Sequence, residues 1–471
     1  MDSGVSSHPP FDSSPPGEPD RRRLGLVACV ALVLGNIVGI GIFLTPPGVA
    51  KASTELWMYV GFWVLGALVA IAGALVYAEL GSRFPRAGGE YVFLNKAYGR
   101  PVAYAWGWLS ALIVFPGSIA ALFVWAVSAL SSTAVGAWLN DSIVRFDGFT
   151  LIWGDVLAVG LVWLTTAFNC RSVTLTSSLQ LILTWTPMCI FLLAGAWAIF
   201  HTGQLQPVAV PDSVMVSPTL GDFSAAFCKV FWAYAGWNVL VYLGGEIKKP
   251  SRTIPGAIVI ALAATMVIYV FLNFAFLTAF PLHQLPNMQN VGVATAQRFF
   301  GPLGGEVFAL VITMAVLAGM NVTTMAGSRI SLAMARDGYL WKRMAKTHPS
   351  WGTPVTALLV QATLSSILVL TKSADFLITM TGSVMLLLSC VSVSSLFVFR
   401  TRNDAPPPYR AFGYPWVPSF FILVGVVVLV AGMTSDGLQM LIGLSVFCGL
   451  AGLNLLSSHL RNRRLARTQT S

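Results

Sequence analysis

Two stretches decide how this chain is read: Leu34-Gly35-Asn36-Ile37-Val38-Gly39-Ile40-Gly41-Ile42-Phe43 and Val230-Phe231-Trp232-Ala233-Tyr234-Ala235-Gly236-Trp237-Asn238. Each sits inside an apolar run long enough to cross a bilayer, and each interrupts that run with small residues. Gly weakens a helix by about 1 kcal/mol relative to Ala, so both runs read as helices that break midway. A second reading stands beside it: Gly35 and Gly39 form a G-x-x-x-G, which lets two membrane helices pack closely. Position favours the break. The stretches lie in the first and sixth apolar runs, five apart, and therefore run in opposite directions. Interrupted helices at matching places in two oppositely oriented halves point to an inverted repeat with a binding site at the bilayer midplane.

The surrounding sequence fits that frame. Of 471 residues, 56% are hydrophobic and only 10% are charged, against about 25% charged in a soluble domain. A water-soluble enzyme is thereby excluded, and the 12% aromatic content excludes bulk disorder. A helix crosses the hydrocarbon layer with about 20 apolar residues. Runs of that kind fall at 24–50, 56–80, 101–130, 152–169, 173–200, 223–245, 255–280, 303–333, 354–371, 375–399, 416–434 and 437–457. The expected fold is an all-α membrane protein of twelve transmembrane helices. Its first repeat covers 24–200 and its second 223–400, with helices eleven and twelve over 416–457. Residues 1–23 read as a disordered tail and 458–471 as a basic tail. With the N-terminus inside, 23 of the 28 Lys and Arg fall on the inner side, as the positive-inside rule requires. Both tails are then cytoplasmic, in a multi-pass protein of the cell membrane. Arg21–Arg23 before an apolar run resembles a signal peptide, but the run is too long and Pro46-Pro47 interrupts it.

The chemistry expected at the breaks follows from helix ends. If span one unwinds near Gly39–Gly41, the N–H groups of Ile40, Gly41 and Ile42 face the gap at the positive end of a helix dipole, which suits a carboxylate. The carbonyls of Ile37 and Val38 are left free, and span six offers those of Trp232, Ala233 and Ala235. Carbonyls suit an ammonium, so one gap holds both ends of an α-amino acid without a charged side chain.

The excluded chemistry agrees. The six cysteines form no C-x-x-C, and the five histidines fall in tails, loops or span ends, so no metal or cofactor site is expected. Gly39-Ile40-Gly41 is not a dinucleotide fingerprint and no G-x-x-x-x-G-K-[ST] occurs, which disfavours nucleotide-driven transport. A membrane-embedded enzyme would need a His, Asp or Cys cluster at one face, and a proton pump would need mid-span acids or lysines; neither is seen. Charges such as Glu79, Glu246 and Arg329 sit near span ends and read as interfacial pairs. The basic balance of +10 lies between apolar runs and does not signal nucleic acid.

At these residues the chain resembles the amino acid–polyamine–organocation superfamily, closest to the L-type amino-acid transporters and bacterial serine/threonine exchangers. The resemblance continues through Pro85-Arg86-Ala87-Gly88-Gly89-Glu90-Tyr91, Gly244-Gly245-Glu246-Ile247-Lys248-Lys249-Pro250 and Met334-Ala335-Arg336-Asp337-Gly338. It implies a five-plus-five inverted repeat, alternating access, and substrate contacts at Ile37, Ile40, Gly41, Ile42, Trp232, Ala233 and Ala235. Trp232 falls where such proteins keep an aromatic gate.

Two departures qualify it. Many relatives carry a lysine partway along span five, but residues 173–200 contain no Lys. Which of Thr184 to Pro187 takes its place depends on the register. Exchange or facilitated transport is therefore expected over proton-coupled symport. Residues 131–151 contain no Cys, so the cysteine that links eukaryotic relatives to a helper subunit is missing and no covalent partner is expected. Ile40 and the apolar span linings favour neutral amino acids, and no acidic pocket residue suggests a cationic one; cationic amino acids or polyamines are the alternative. Little sodium dependence is expected, unless the hydroxyls of Thr323 and Thr324 serve an ion. Oligomeric state is not readable from the sequence.

Overall fold

The computed structural model describes residues 23–39, 41–85, 88–146, 149–171, 173–202, 218–371, 374–402, 406–431, 433, 445 and 447–454. Helices dominate: α1 (Leu26–Ile37), α2 (Gly41–Lys51), α3 (Leu56–Arg83), α4 (Glu90–Tyr98), α5 (Arg100–Leu109), α6 (Phe115–Ser131), α7 (Trp153–Arg171), α8 (Val173–Thr202), α9 (Leu220–Tyr234), α10 (Val239–Tyr242), α11 (Pro250–Ala279), α12 (Val291–Arg336), α13 (Val355–Leu370) and α14 (Ala374–Thr401). A further apolar helix, α15, covers Trp416–Ala431. One hairpin, β1 (Ser142–Phe146) with β2 (Phe149–Ile152), joins spans three and four.

The apolar runs map onto these elements in order. Span one is α1 plus α2, span two α3, span three α5 plus α6, span four α7, span five α8, and span six α9 plus α10. Spans seven to eleven are α11 to α15. Most of the twelfth run lies outside the described residues, although 447–454 are helical. Among the described residues, seven helices are individually long and apolar enough to cross a membrane, and the α1–α2 pair, taken as one span, makes an eighth. In α12 the chain kinks at Gly301, with φ +75°, so span eight proper begins near Pro302, as read from the sequence.

Both breaks occur where expected. Helix α1 stops at Ile37, α2 starts at Gly41, and their axes differ by 42°. Helix α9 begins with a capping box between Thr219 and Asp222 and stops at Tyr234. Ala235 is extended, and Gly236 sits at φ +108°, a region that glycine enters without the steric penalty of a side chain.

Packing explains how the broken segments are seated. Helix α3 carries Gly66, Gly73 and Gly81 along its contact with span six. A Cβ on them would lie 2.4 Å from Val230 Cγ1, 2.8 Å from Trp237 and 2.9 Å from Val241 Cγ1, respectively. The glycines thus form a groove that admits the side chains of the broken span, the small-residue packing that membrane helices use. Counterparts in the two halves also touch: α2 packs on α9, α3 on α11, α6 on α12 and α7 on α13. These are spans one and six, two and seven, three and eight, four and nine, as an inverted repeat pairs them.

The charges near span ends pair with one another. Arg329 meets Glu246 at 2.9 Å, and Arg400 meets Glu79 at 2.6 Å. Glu79 also accepts the Ala411 N–H at 2.7 Å. Buried charge is retained here because it is paired and hydrogen-bonded.

Candidate functional site

The two breaks open onto one cavity of about 960 Å³, counting its open mouth. Ile37, Gly39 and Gly41 line it from span one, and Trp232, Ala233, Ala235 and Asn238 from span six. Of the eight residues expected from sequence, Ile37, Gly41, Trp232, Ala233 and Ala235 are thus brought together. Val38 and Ile42 are buried in the core at 1% and 0% exposure, outside the lining. Ile40 lies outside the described residues.

The glycines of span one divide between the two roles open at the level of sequence. Gly35 is a packing residue, since a Cβ there would fall 2.3 Å from both Gln180 Nε2 and Thr184 Oγ1. Gly39 meets nothing within 4 Å and borders the cavity. Gly41 lies against the other break, where a Cβ would sit 3.1 Å from Ala233 Cα and 3.4 Å from the Trp232 ring. Trp232 in turn stacks edge-on to Trp125 of span three, with centroids 6.4 Å apart. It stands between the span-one break and span three.

Several lining residues were not singled out by sequence. Asn36 donates to the Gly236 carbonyl at 3.0 Å and accepts from Thr323 Oγ1 at 3.0 Å, so it joins spans one, six and eight. The Thr323 hydroxyl, an ion-ligand candidate by sequence, is thus bonded to Asn36, and also to the Gly319 carbonyl. In span three, Phe115 N–H bonds the Ser110 carbonyl, a π turn that spans Ser110–Val114. Pro116 follows it and lacks the N–H a regular helix would use. The turn brings Ser110, Val114 and Phe115 to the cavity wall, consistent with the enrichment of π-bulges at functional sites.

The cavity lining corrects one expectation. An acidic residue does line the cavity: Glu90, at the start of α4 between spans two and three. Its Oε1 accepts from Asn238 Nδ2 at 2.9 Å and Tyr242 Oη at 2.8 Å, both just past the span-six break. Burial pushes the Glu90 carboxyl up to about 7, against the opposing pull of those two hydrogen bonds. Gly89 makes the fit, because a Cβ there would lie 2.4 Å from the Tyr242 ring, and its φ is +49°. The next residue, Tyr91, donates to Asp337 at 2.5 Å, at the end of span eight. The Gly-Gly-Glu-Tyr motif is therefore a strap across spans six and eight. The sequence does not place Glu90 in the cavity because Glu90 sits in a loop motif, 148 residues from Asn238.

In span five, Thr184 reaches span one, with its hydroxyl 3.2 Å from the Ala31 carbonyl. It belongs to a buried neutral chain: Asn169 to Asn321 at 2.8 Å, Asn321 to Gln180 at 2.9 Å, and Gln180 to Thr184 at 3.0 Å. Among the described residues no group of three His, Cys, Asp or Glu is placed to hold a metal.

Comparison with known proteins matches this arrangement to a family. The amino acid permease family matches residues 24–446. The chain is 28% identical over 442 residues to the serine/threonine exchanger SteT of Bacillus subtilis, covering 92% of this chain and 95% of that protein. It is 28% identical over 390 residues to the Asc-type amino acid transporter 1 of Mus musculus, covering 82% and 72%. It is 26% identical over 432 residues to the large neutral amino acids transporter small subunit 2 of Homo sapiens, covering 90% and 78%. These are transporters, and the membrane-embedded enzyme reading falls away with them. A many-helix membrane protein, two spans broken over a shared cavity and a family match across most of the sequence agree: this chain belongs to the amino acid permease family.

Proposed function

We propose that the chain exchanges neutral α-amino acids by alternating access, with the zwitterion held between the two breaks. The observation that carries this is the meeting of Gly41 and Ala233 at one cavity: a helix start and a helix end lie in van der Waals reach. In this reading the substrate carboxylate sits at the start of α2, where Gly41 lines the cavity. Its ammonium sits on carbonyls from the lining residues Ile37, Trp232, Ala233 and Ala235. Trp232 closes one end of the cavity and the Glu90 strap closes the other. Each carbonyl oxygen has two lone pairs, so one already bonded within the protein still accepts from an ammonium.

Exchange rather than proton symport is favoured by the neutral chain through Asn321, Gln180 and Thr184, which offers no titrating group beside span one. The orientation proposed from Lys and Arg places both termini in the cytoplasm of a cell-membrane protein, with the Trp232 end outward and the Glu90 end inward. The two repeats are 24–200 and 223–400, and no covalent helper subunit is involved. A second reading, transport of cationic amino acids, is favoured by one fact only: Glu90 lines the cavity. Its Oε1 is already bonded by Asn238 and Tyr242, which leaves neutral substrates preferred.

Uptake of labelled serine into proteoliposomes tests the proposal. Uptake is expected only when the vesicles are loaded with amino acid. Equal uptake into empty vesicles overturns exchange, and competition by arginine stronger than by alanine or serine overturns the neutral assignment.

A further inference from the structure

One charge in span six lies too deep to be interfacial. Helix α9 starts at Leu220 and stops at Tyr234, so Lys229 stands about 13 Å into it, one turn ahead of Trp232 and Ala233. A charge at that depth is costly unless it faces water, and when present it flags a functional group.

Helix geometry fixes where it points. Successive residues turn by about 100°, so Lys229 projects between the directions of Trp232 and Ala233. Ala233 faces Gly41 of span one. Trp232 faces Trp125 of span three, and lies 3.8 Å from where a Cβ on Gly382 of span ten would sit. Other sides of α9 are occupied: Val230 packs on Gly66 of span two, and Ser224 bonds the Val428 carbonyl of span eleven at 2.8 Å. Lys229 therefore points into the sector enclosed by spans one, three and ten, not toward lipid. Its side chain is exposed and lies across Gly48 of α2, where a Cβ would fall 2.7 Å from both Cδ and Nζ. It does not line the cavity itself. Two turns ahead on the same side, Asp222 is engaged by the Thr219 hydroxyl at 2.6 Å, and Lys51 at the end of α2 acts on it. Among the described residues no carboxylate pairs with Lys229.

We propose that Lys229 is the specificity-determining residue of the outer approach: it receives the substrate carboxylate before Trp232 moves, and it turns away amino acids of net positive charge. This rests on the exchange reading and the orientation above. From Gly48 to Gly41 the carboxylate follows α2 for two turns, about 10 Å, toward the helix start. A zwitterion presents its anionic end to the ammonium, whereas a cationic amino acid brings a second positive charge into the same space. Selection on the approach lets a neutral substrate range coexist with Glu90 in the cavity lining.

The test is uptake of labelled serine into intact, amino-acid-loaded cells, which present only the outer face, with arginine or alanine as competitor. Lys229→Met keeps the length and loses the charge; Lys229→Arg keeps the charge. Ala225 lies one turn ahead on the same side, so Ala225→Glu cancels the lysine charge without removing it. Lys229→Met is expected to raise the external KM about two- to fivefold, the worth of a solvated charge pair. It should strengthen inhibition by arginine relative to alanine by a similar factor. Ala225→Glu should shift both in the same sense, and Lys229→Arg should stay with the wild type. Added salt should raise the wild-type KM and leave Lys229→Met unmoved. The inference falls if arginine and alanine keep their wild-type ratio in Lys229→Met and Ala225→Glu, or if the wild-type KM is indifferent to salt. It also falls if Lys229→Arg is as impaired as Lys229→Met, because the side chain would then only fill the groove at Gly48. Should Lys229→Met fail to reach the membrane, Ala225→Glu decides alone. No exchange by the wild-type protein refutes the functional reading and this inference together, whereas wild-type exchange with unshifted ratios refutes the inference alone.

Discussion

Replacing Glu90 with Gln should change how the protein responds to pH, and the structure gives the size and sign. The Glu90 carboxyl is buried at 2% exposure among Asn238, Tyr242 and Tyr77, and burial lifts it from an ordinary 4.5 to about 7. At about 1.4 kcal/mol per tenfold change in proton affinity, ionisation in this seat costs on the order of 3 kcal/mol relative to a hydrated carboxylate. Below pH 4.5 the acid is neutral whether seated or hydrated, and the handicap is zero. Between 4.5 and 7 only the hydrated form gives up its proton, so the seated arrangement loses ground as pH rises. Above 7 both are ionised and the full handicap persists. Rising pH therefore loosens the strap from span six. Gln keeps an oxygen to accept from Asn238 and Tyr242 but cannot ionise, so Glu90→Gln should be immune.

Thermal unfolding of wild type and Glu90→Gln in detergent, from pH 5 to 8, checks this. The variant should gain on the wild type as pH rises, and the gap should level off above about 7, the seated value. Exchange in proteoliposomes should quicken from pH 5 to 8 in the wild type and respond less in the variant. Asp337, also raised by burial and bonded to Tyr91, titrates in both proteins and cancels in the difference. Parallel unfolding curves across the whole range would refute the argument, because they would mean that Glu90 is not held in a dry seat.

The other expectations concern the breaks. Gly41→Leu should abolish exchange while protein still reaches the membrane, since even a Cβ would press on Ala233 Cα at 3.1 Å; normal uptake by that variant removes the carboxylate site from this position. Gly35→Ala and Gly39→Ala should diverge. The first drives a methyl into Gln180 and Thr184 and should cost about 1–3 kcal/mol of stability. The second enters open space and should raise KM with stability unchanged, and equal melting points for the two would contradict the division of roles. Trp232→Ala should raise KM and speed release, measured by efflux of preloaded substrate; unaltered kinetics would mean that Trp232 only packs on Trp125.

What was legible in the sequence was local. Where a helix must break is written in Gly39 to Gly41 and in Ala235-Gly236, because helix strength is set by neighbours along the chain, and both breaks were found there. What fills a break is not local. The reading that leaves the Ile37 carbonyl free could not include the Tyr269 hydroxyl, which donates to it from 232 residues further on. The strap was visible as a motif in Gly88 to Tyr91, yet its partners Asn238 and Tyr242 are 148 and 152 residues away. The π turn at Ser110 had only Pro116 to announce it, and a proline in a membrane span more often kinks a helix than adds a residue to its turn.

The missing lysine shows how the two kinds of information combine. Sequence establishes that span five has no Lys, and leaves open which residue replaces it. The structure shows Thr184 bonded to the Ala31 carbonyl, and Gln180 to Thr184 and Asn321. A lysine beside span one would carry its own donors and its own charge, and could alter its hold on that helix by losing a proton. An amide and a hydroxyl linked to two asparagines have no proton to lose near neutral pH. Their grip on span one depends on geometry alone, which changes when span one moves. Span one is thus coupled to spans four, five and eight by a linkage insensitive to pH, and the acid that does titrate near neutrality, Glu90, holds span six instead. A pH response that survives in Glu90→Gln therefore has to come from outside this chain of amides, and one that disappears assigns it to the strap.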